Sequence, residues 1–366
     1  CSSKWLHQTT SLSLANNNLG DEGIFLLSKT NCLQKLTSLD LSSNEIGALG
    51  SKVLSLSKSL NSVCSLNISY NRMEPLGVHS LANSDFGRQL KFLQLRDTCL
   101  GNEGMKSLSS FRLDELESLD LSDNSISDLG LETLVTSNTF TNIKKLVLNN
   151  NHIGDDGIYA LSKSNMFFNL ESLFLANNDL TTDSAISISE SRVLTQLKTL
   201  DINNNDIRAE GTKALSGSPN LKSIEYLDLG QNGLGSDGAK ALAQSPNMGT
   251  LKFLRLNNNN IKDAGISDMA ISKYFASLEH LFLENENWIH SEGAKSIAVS
   301  TAFPLLRTLV LTLNAIGDEG AFHLAGDNNL NSLEQLNVAG NKISSRGEDA
   351  LRNSPHLQHL KNLELV

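Results

Sequence analysis

The chain has 366 residues, a formal net charge of −10, 39% hydrophobic residues and only 5% aromatic ones. Such an acidic surplus, with no basic stripe to offset it, argues against nucleic acid as a partner, because phosphate backbones are held by clustered Lys and Arg. No apolar run approaches the ~20 residues of a membrane span, and no basic-then-apolar leader is visible.

Taken in chain order, the sequence repeats itself every 27 residues. An early unit reads Leu12-Ser-Leu14-Ala-Asn-Asn17-Asn-Leu19-Gly20-Asp-Glu-Gly23, and a late one reads Leu309-Val-Leu311-Thr-Leu-Asn314-Ala-Ile316-Gly317-Asp-Glu-Gly320. The Asn recurs at Asn17, Asn44 and Asn71, is replaced by Thr98, and returns from Asn124 through Asn205, Asn232, Asn259, Asn287 and Asn314 to Asn341. Self-similarity at this period marks a solenoid of stacked units, none of which buries its apolar face alone. The Leu-x-Leu stretch alternates and predicts a short strand with both leucines inward. Segments such as Gly23 to Ser28 and Gly238 to Ala243 have helical spacing and good helix formers. One strand and one helix per unit, always in that order, predict an α/β solenoid. It is a horseshoe with a parallel sheet on the concave face, helices on the convex face, and about thirteen repeats plus a partial fourteenth at Leu360 to Leu365. The Asn amide carries donors and an acceptor that suit buried backbone groups.

The chain is read as one domain over residues 1–366. It starts at Cys1 in mid-pattern, with Trp5-Leu6 at the end of a repeat, so it is expected to be a portion of a longer protein. Cys1, Cys32, Cys64 and Cys99 occupy different repeat columns without CxxC spacing, which favours free thiols in a reducing, cytoplasmic compartment. Acidic residues such as Asp21, Asp128, Asp263 and Asp318 fall in the turn that opens each helix. There, free N–H groups and the helix dipole favour negative charge.

The unit with Gly-Asp-Glu-Gly opening a helix resembles the ribonuclease inhibitor-like class of leucine-rich repeats over the whole chain. That resemblance implies the horseshoe fold and a recognition role. The class includes a nuclease inhibitor, the Ran GTPase-activating protein, immune sensor domains and bacterial effectors. The mammalian inhibitor is Cys-rich and alternates two unit lengths, and this chain does neither, so nuclease inhibition is not implied.

Motifs of catalysis and cofactor binding are accounted for by the repeat. Gly233-Leu-Gly235-Ser-Asp-Gly238 satisfies a dinucleotide fingerprint only through the consensus plus one extra glycine, outside any βαβ nucleotide fold. Asp201-Ile-Asn203-Asn-Asn205 opens like a calcium loop, but Asp206 and Thr212 stand where Gly and Glu are required. His356 and His359 have no neighbouring ligand set for a metal. No cofactor or metal is expected, and no enzymatic activity.

Function is expected where the units differ, on the concave columns flanking the first strand leucine. The early units carry mostly Ser, Asp and Asn there, as at Ser38, Ser65, Asp40 and Asn67. Later units carry Phe174, Tyr226, Phe253 and Phe282 with Arg255, His280, Asp201 and Asp228. Aromatic residues and Arg dominate binding hot spots. The competing reading is cross-strand packing that stiffens the sheet. The period also breaks at Glu284 to Ile289, where an extra residue places Trp288 in the turn, a candidate anchor at the rim. The sequence therefore predicts a protein–protein interaction module whose partner-binding residues are these nine. The uniform units and lack of disulfides fit a translocated bacterial effector acting in host cytoplasm. The alternatives are a GTPase activator of the Ran type and an architectural spacer.

Overall fold

The computed structural model describes residues 6–111, 113–137, 140–326 and 329–365; Cys1 and Trp5 lie outside them. The described residues form fourteen three-residue strands, from Ser11–Ser13 to Asn362–Glu364, and thirteen α-helices, from Gly20–Ser28 to Ser345–Arg352. The strands are parallel in one sheet whose order follows the sequence, an α/β leucine-rich-repeat solenoid. Two compact units divide the chain: Cys1–Asp179 with Arg192–Gln196, and Leu180–Ser191 with Leu197–Val366.

In the first unit, strands pair in register one repeat apart, as Leu39 with Leu66. Leu39, Leu41, Ile46 and Leu54 of one repeat are buried, because the alternating strand turns its leucines toward the helix layer while the residues between them face outward. The second unit does the same with Leu227, Leu229, Leu234 and Leu242. Close approach of its helices needs glycine. A Cβ on Gly265 would stand 3.0 Å from the Ala239 Cβ of the neighbouring helix and 2.6 Å from the Ile261 side chain.

The Asn column does what its chemistry predicts in both units. Asn71 Oδ1 accepts from Asn44 N at 3.0 Å and Ile46 N at 2.9 Å, while Nδ2 donates to the carbonyls of Leu41, Ile68 and Ser69. Asn259 repeats all five bonds with Asn232 N, Leu234 N and the carbonyls of Leu229, Leu256 and Asn257. The residue just before the column holds a left-handed φ in every unit, from Asn16 at 58° to Gly340 at 69°, which turns the chain sharply enough to bring the amide inward. Thr98 is buried too, but its hydroxyl, with one proton to give, lies 2.8 Å from Leu95 O and 3.1 Å from Asn124 Oδ1. The N–H of Met73 then turns to Asn71 O at 2.8 Å. The repeat that follows is shortened, with 26 residues from Thr98 to Asn124, a second departure from the period beside that at Trp288.

The acidic column has a structural role that differs from the expected one. Its carboxylates do not serve only their own helix. Asp21 Oδ1 accepts from Gly47 N at 2.8 Å, Asp128 from Gly154 N at 2.6 Å, Asp263 from His290 N at 2.7 Å and Asp318 from Ser344 N at 2.7 Å. Each donor sits at the N-cap of the next repeat's helix. The carboxylate thus satisfies one of the N–H groups that a helix start leaves unpaired. The Ser344 hydroxyl and backbone hydrogen bonds hold the Asp318 carboxyl below its usual range.

Candidate functional site

Four adjacent strands of the second unit carry seven of the nine sequence-selected side chains together. They are Thr199–Asp201, Tyr226–Asp228, Phe253–Arg255 and His280–Phe282. Register sets Tyr226, Phe253 and His280 side by side, and beside them Asp201, Asp228, Arg255 and Phe282. The rings use this proximity. Tyr226 stacks on Phe253 with centroids 4.3 Å apart and 11° between planes. Phe253 lies 4.9 Å from Phe282 and 6.1 Å from His280, both tilted. The Arg255 guanidinium sits 5.4 Å from the Phe253 centroid and 4.8 Å from that of Phe282, within cation–π range. His280 Nδ1 is 3.0 Å from Thr308 Oγ1.

Charge is concentrated beside the rings. Asp228 is only 2% exposed; its Oδ2 accepts from Arg255 Nη1 at 3.2 Å, and its Oδ1 accepts from Gly230 N at 3.0 Å and Asn203 Nδ2 at 3.2 Å. Asp201 accepts from Asn203 N at 3.0 Å. Burial, reinforced by the Asp228 charge, pushes the Asp201 carboxyl up to about 6. Burial also pushes the Tyr226 hydroxyl up to about 12, with both aspartates adding to it. The Glu284 carboxyl is raised, again mainly by burial.

Three residues of this patch carry buried polar atoms without a hydrogen-bond partner among the described residues: Arg255 Nε, Asn257 Oδ1 and Glu284 Oε2. The other two such atoms, Arg96 Nε and Asp123 Oδ2, face each other as an ion pair at 2.6 Å. An unpaired buried polar group costs about 1–3 kcal/mol, so these three atoms are a destabilising feature of the patch.

Asn203, Gly230, Asn257 and Glu284 were not among the sequence candidates. They form a third outward column, directly after the second strand leucine. That column reads Ala15, Ser42, Ser69, Arg96, Ser122, Asn149 and Ala176 in the earlier repeats, so its variation did not single these four out.

The remaining candidates lie elsewhere. Phe174 belongs to the first unit, where Lys145 Nζ sits 5.2 Å from its ring. Trp288 is 55% exposed with φ 53°. Its indole makes no ring contact among the described residues, with Phe282 or any other. It occupies the turn slot after the Asn column that Asn18, Glu45 and Asn260 hold in other repeats, off the strand face. Neither His356 nor His359 belongs to a cluster able to hold a metal among the described residues.

Parallel strand–turn–helix units tied by an asparagine ladder, with an open sheet face, define a leucine-rich-repeat protein. The chain belongs to that family: the leucine-rich-repeat model matches ten segments, among them 10–28, 32–55, 116–135, 220–243, 249–270 and 329–351, together more than half of the chain. Solved structures share the fold. An internalin of Listeria monocytogenes superposes with a TM-score of 0.60 at 20% identity, covering 99% of this chain and 88% of its own. A leucine-rich-repeat protein of Leptospira interrogans gives 0.56 at 20%, covering 99% and 86%. A TDR receptor gives 0.52 at 19%, and the matched part is 55% of that receptor. Comparison with curated proteins gives no match. The leucine-rich-repeat fold generally mediates protein–protein interaction, and such proteins are typically binding scaffolds without enzymatic activity. No helix among the described residues is long and apolar enough to cross a membrane.

Proposed function

We propose that the chain binds a protein partner on the open face of its sheet. Tyr226, Phe253, Arg255 and Phe282 form the centre of the site, Asp201, Asp228 and His280 its surroundings, Trp288 a rim anchor and Phe174 an outlying contact. The observation that carries this reading is the coincidence of a ring stack with three unpartnered buried polar atoms on the same strands. Packing that merely stiffened the sheet would have no need to leave Asn257 Oδ1 and Glu284 Oε2 unpaired. We also infer that the repeats are of the ribonuclease inhibitor-like class, which the full α-helix of 8 to 10 residues in each repeat supports. The setting we favour is a bacterial effector acting in host cytoplasm, supported by free thiols at Cys32, Cys64 and Cys99.

Alanine in place of a central anchor typically costs 2 kcal/mol or more, roughly thirtyfold in affinity. Tyr226→Ala, Phe253→Ala and Phe282→Ala are each expected to weaken partner binding that far, with Ser38→Ala and Ser65→Ala without effect. Affinities measured against an isolated partner decide it, and sensitivity at the serines with none at the rings would move the site elsewhere. A spacer would capture no partner. A GTPase activator would accelerate turnover by a small GTPase.

A further inference from the structure

A second open site lies on the helical side of the second unit. A groove of about 780 Å³ runs between the α-helices Arg208–Gly217 and Gly235–Gln244. Its bed is nearly bare, because Ala209, Gly217 and Ala241 line it. Gly217 matters most. It closes its helix where the neighbouring repeats carry Glu190 and Gln244, and a Cβ placed on it would meet nothing within 4 Å. The missing side chain therefore leaves room that no other described residue takes up.

Three exposed lysines, Lys213, Lys222 and Lys240, line the same groove. On the strand side of this unit, cations are neutralised by the neighbouring repeat. Lys252 meets Glu225 at 2.7 Å, Lys361 meets Glu334 at 2.6 Å, and Arg307 lies between Glu279 at 3.4 Å and Glu334 at 3.6 Å. The ammonium groups of the groove lysines make no ion pair among the described residues. Glu210 and Asp237 also line the groove, three residues before Lys213 and Lys240. Side chains at that spacing on one helix can meet, yet neither pair closes. The groove is therefore charge-segregated, with carboxylates near the helix starts and ammonium groups beyond them.

That segregation selects an occupant. A uniformly anionic surface, such as nucleic acid or an acidic membrane, is repelled at Glu210 and Asp237. A polypeptide segment with a cation at one end and carboxylates at the other matches both ends. We propose that the groove docks such a segment of a protein partner, independently of the ring stack on the sheet. Asp or Glu side chains of the segment lie over Lys213, Lys222 and Lys240, and a Lys or Arg lies against Glu210 and Asp237. Exposed ion pairs are individually weak, so the bare strip of Ala209, Gly217 and Ala241 is needed to let the segment's backbone come close.

The test uses the intact chain and the N-acetylated, amidated hexapeptide Lys-Arg-Ala-Ala-Glu-Glu, followed by NMR through the amide resonances of Gly217, Lys240 and Gln244. Saturable shifts are expected at low salt, roughly tenfold weaker once both glutamates of the peptide are glutamines, since the paired charges are then lost. Lys213→Gln combined with Lys240→Gln should weaken the peptide by a similar factor at an unchanged melting temperature. Gly217→Leu, which fills the strip with a good helix former, should abolish the shifts. Glu210→Gln combined with Asp237→Asn should let hexaglutamate bind, which the unaltered groove refuses. No saturable shift from the mixed peptide, or equal shifts from its glutamine form, would overturn the proposal. Tighter binding of hexaglutamate than of the mixed peptide to the unaltered chain would overturn it too, by making the groove a general anion site. Tyr226→Ala should leave the peptide unaffected, so failure in the groove is distinguishable from failure on the sheet face.

Discussion

In the first unit, Asp40 and Asp120 each accept from the backbone N–H and the hydroxyl of the serine two residues on, Ser42 and Ser122, with the hydroxyl bond at 2.7 Å in both. In the second unit, Asp201 and Asp228 stand in the same column and accept the same backbone bond, but Asn203 and Gly230 supply no hydroxyl. The residue type and the backbone role are shared, while the second bond is absent or turned to Arg255. Where its local hydroxyl partner is removed, the same framework position is free to pair with a neighbouring strand, as Asp228 does with Arg255. The same contrast holds one column over, where Ser38 and Ser65 of the first unit correspond to Tyr226 and Phe253 of the second.

The sharpest way to break this comparison is at the ladder, which both units are held to share. Asn71→Ala and Asn259→Ala each remove five hydrogen bonds and strand buried backbone groups, so each is expected to cost about 1–3 kcal/mol in chemical denaturation. Similar costs support one framework under two surfaces, and a clear disparity would mean that the units are built differently beneath their faces.

A somewhat smaller effect isolates the burial of a carboxylate in the second unit, to which the Asp228 charge adds. The folded chain holds the Asp201 proton more tightly than the unfolded chain does, with the carboxyl pushed up to about 6 against 3.8. The penalty therefore falls on the ionised form. It is absent below the unfolded value and grows as pH rises through about 6. Asp201→Asn should stabilise the protein at pH 8 by on the order of 1–2 kcal/mol, allowing for the screening of a partly exposed group. That gain should disappear near pH 3.5. Melting curves of the two proteins across this range check it, and a gain independent of pH would assign the effect to packing instead of charge.

The smallest expected effect concerns the irregular repeat of the first unit. Thr98→Asn would restore the amide, and its acceptor could reclaim the Met73 N–H now turned to Asn71 O. It should be neutral or slightly stabilising by thermal melting. A lower melting temperature would show that the 26-residue spacing has fixed a different turn.

Much of this was legible in the sequence. The 27-residue recurrence of Leu-x-Leu and Asn placed the strands and predicted the amide bridges, because both follow from backbone valence and a two-residue side-chain alternation. That alternation also placed Tyr226, Phe253 and Phe282 on the outward columns. What escaped were properties that depend on neighbours a repeat away. The carboxylates of Asp21 and Asp128 reach across to the next helix start, which no local pattern announces. Asn203, Gly230, Asn257 and Glu284 follow the strand leucines directly, where strand periodicity ends and side-chain direction is set by the turn. Trp288 lies exposed on the turn, as its position after the Asn column indicated, but its indole makes no ring contact with Phe282 among the described residues.

The bonds between repeats run in both directions. An amide reaches back to complete the preceding turn, as Asn44 does for Asn17 and Leu19, and a carboxylate reaches forward to complete the following helix, as Asp21 does for Gly47. Each repeat is therefore a plug on one side and a receptacle on the other, through the amide in the repeats that keep the Asn and through the carboxylate in those that carry Asp21, Asp128, Asp263 or Asp318. Duplicating or deleting one whole regular repeat keeps the amide fittings matched, whereas a cut in mid-repeat strands them. The gene is free to lengthen or shorten by unequal exchange in steps of one repeat, so the span of the face is as open to selection as the side chains that line it.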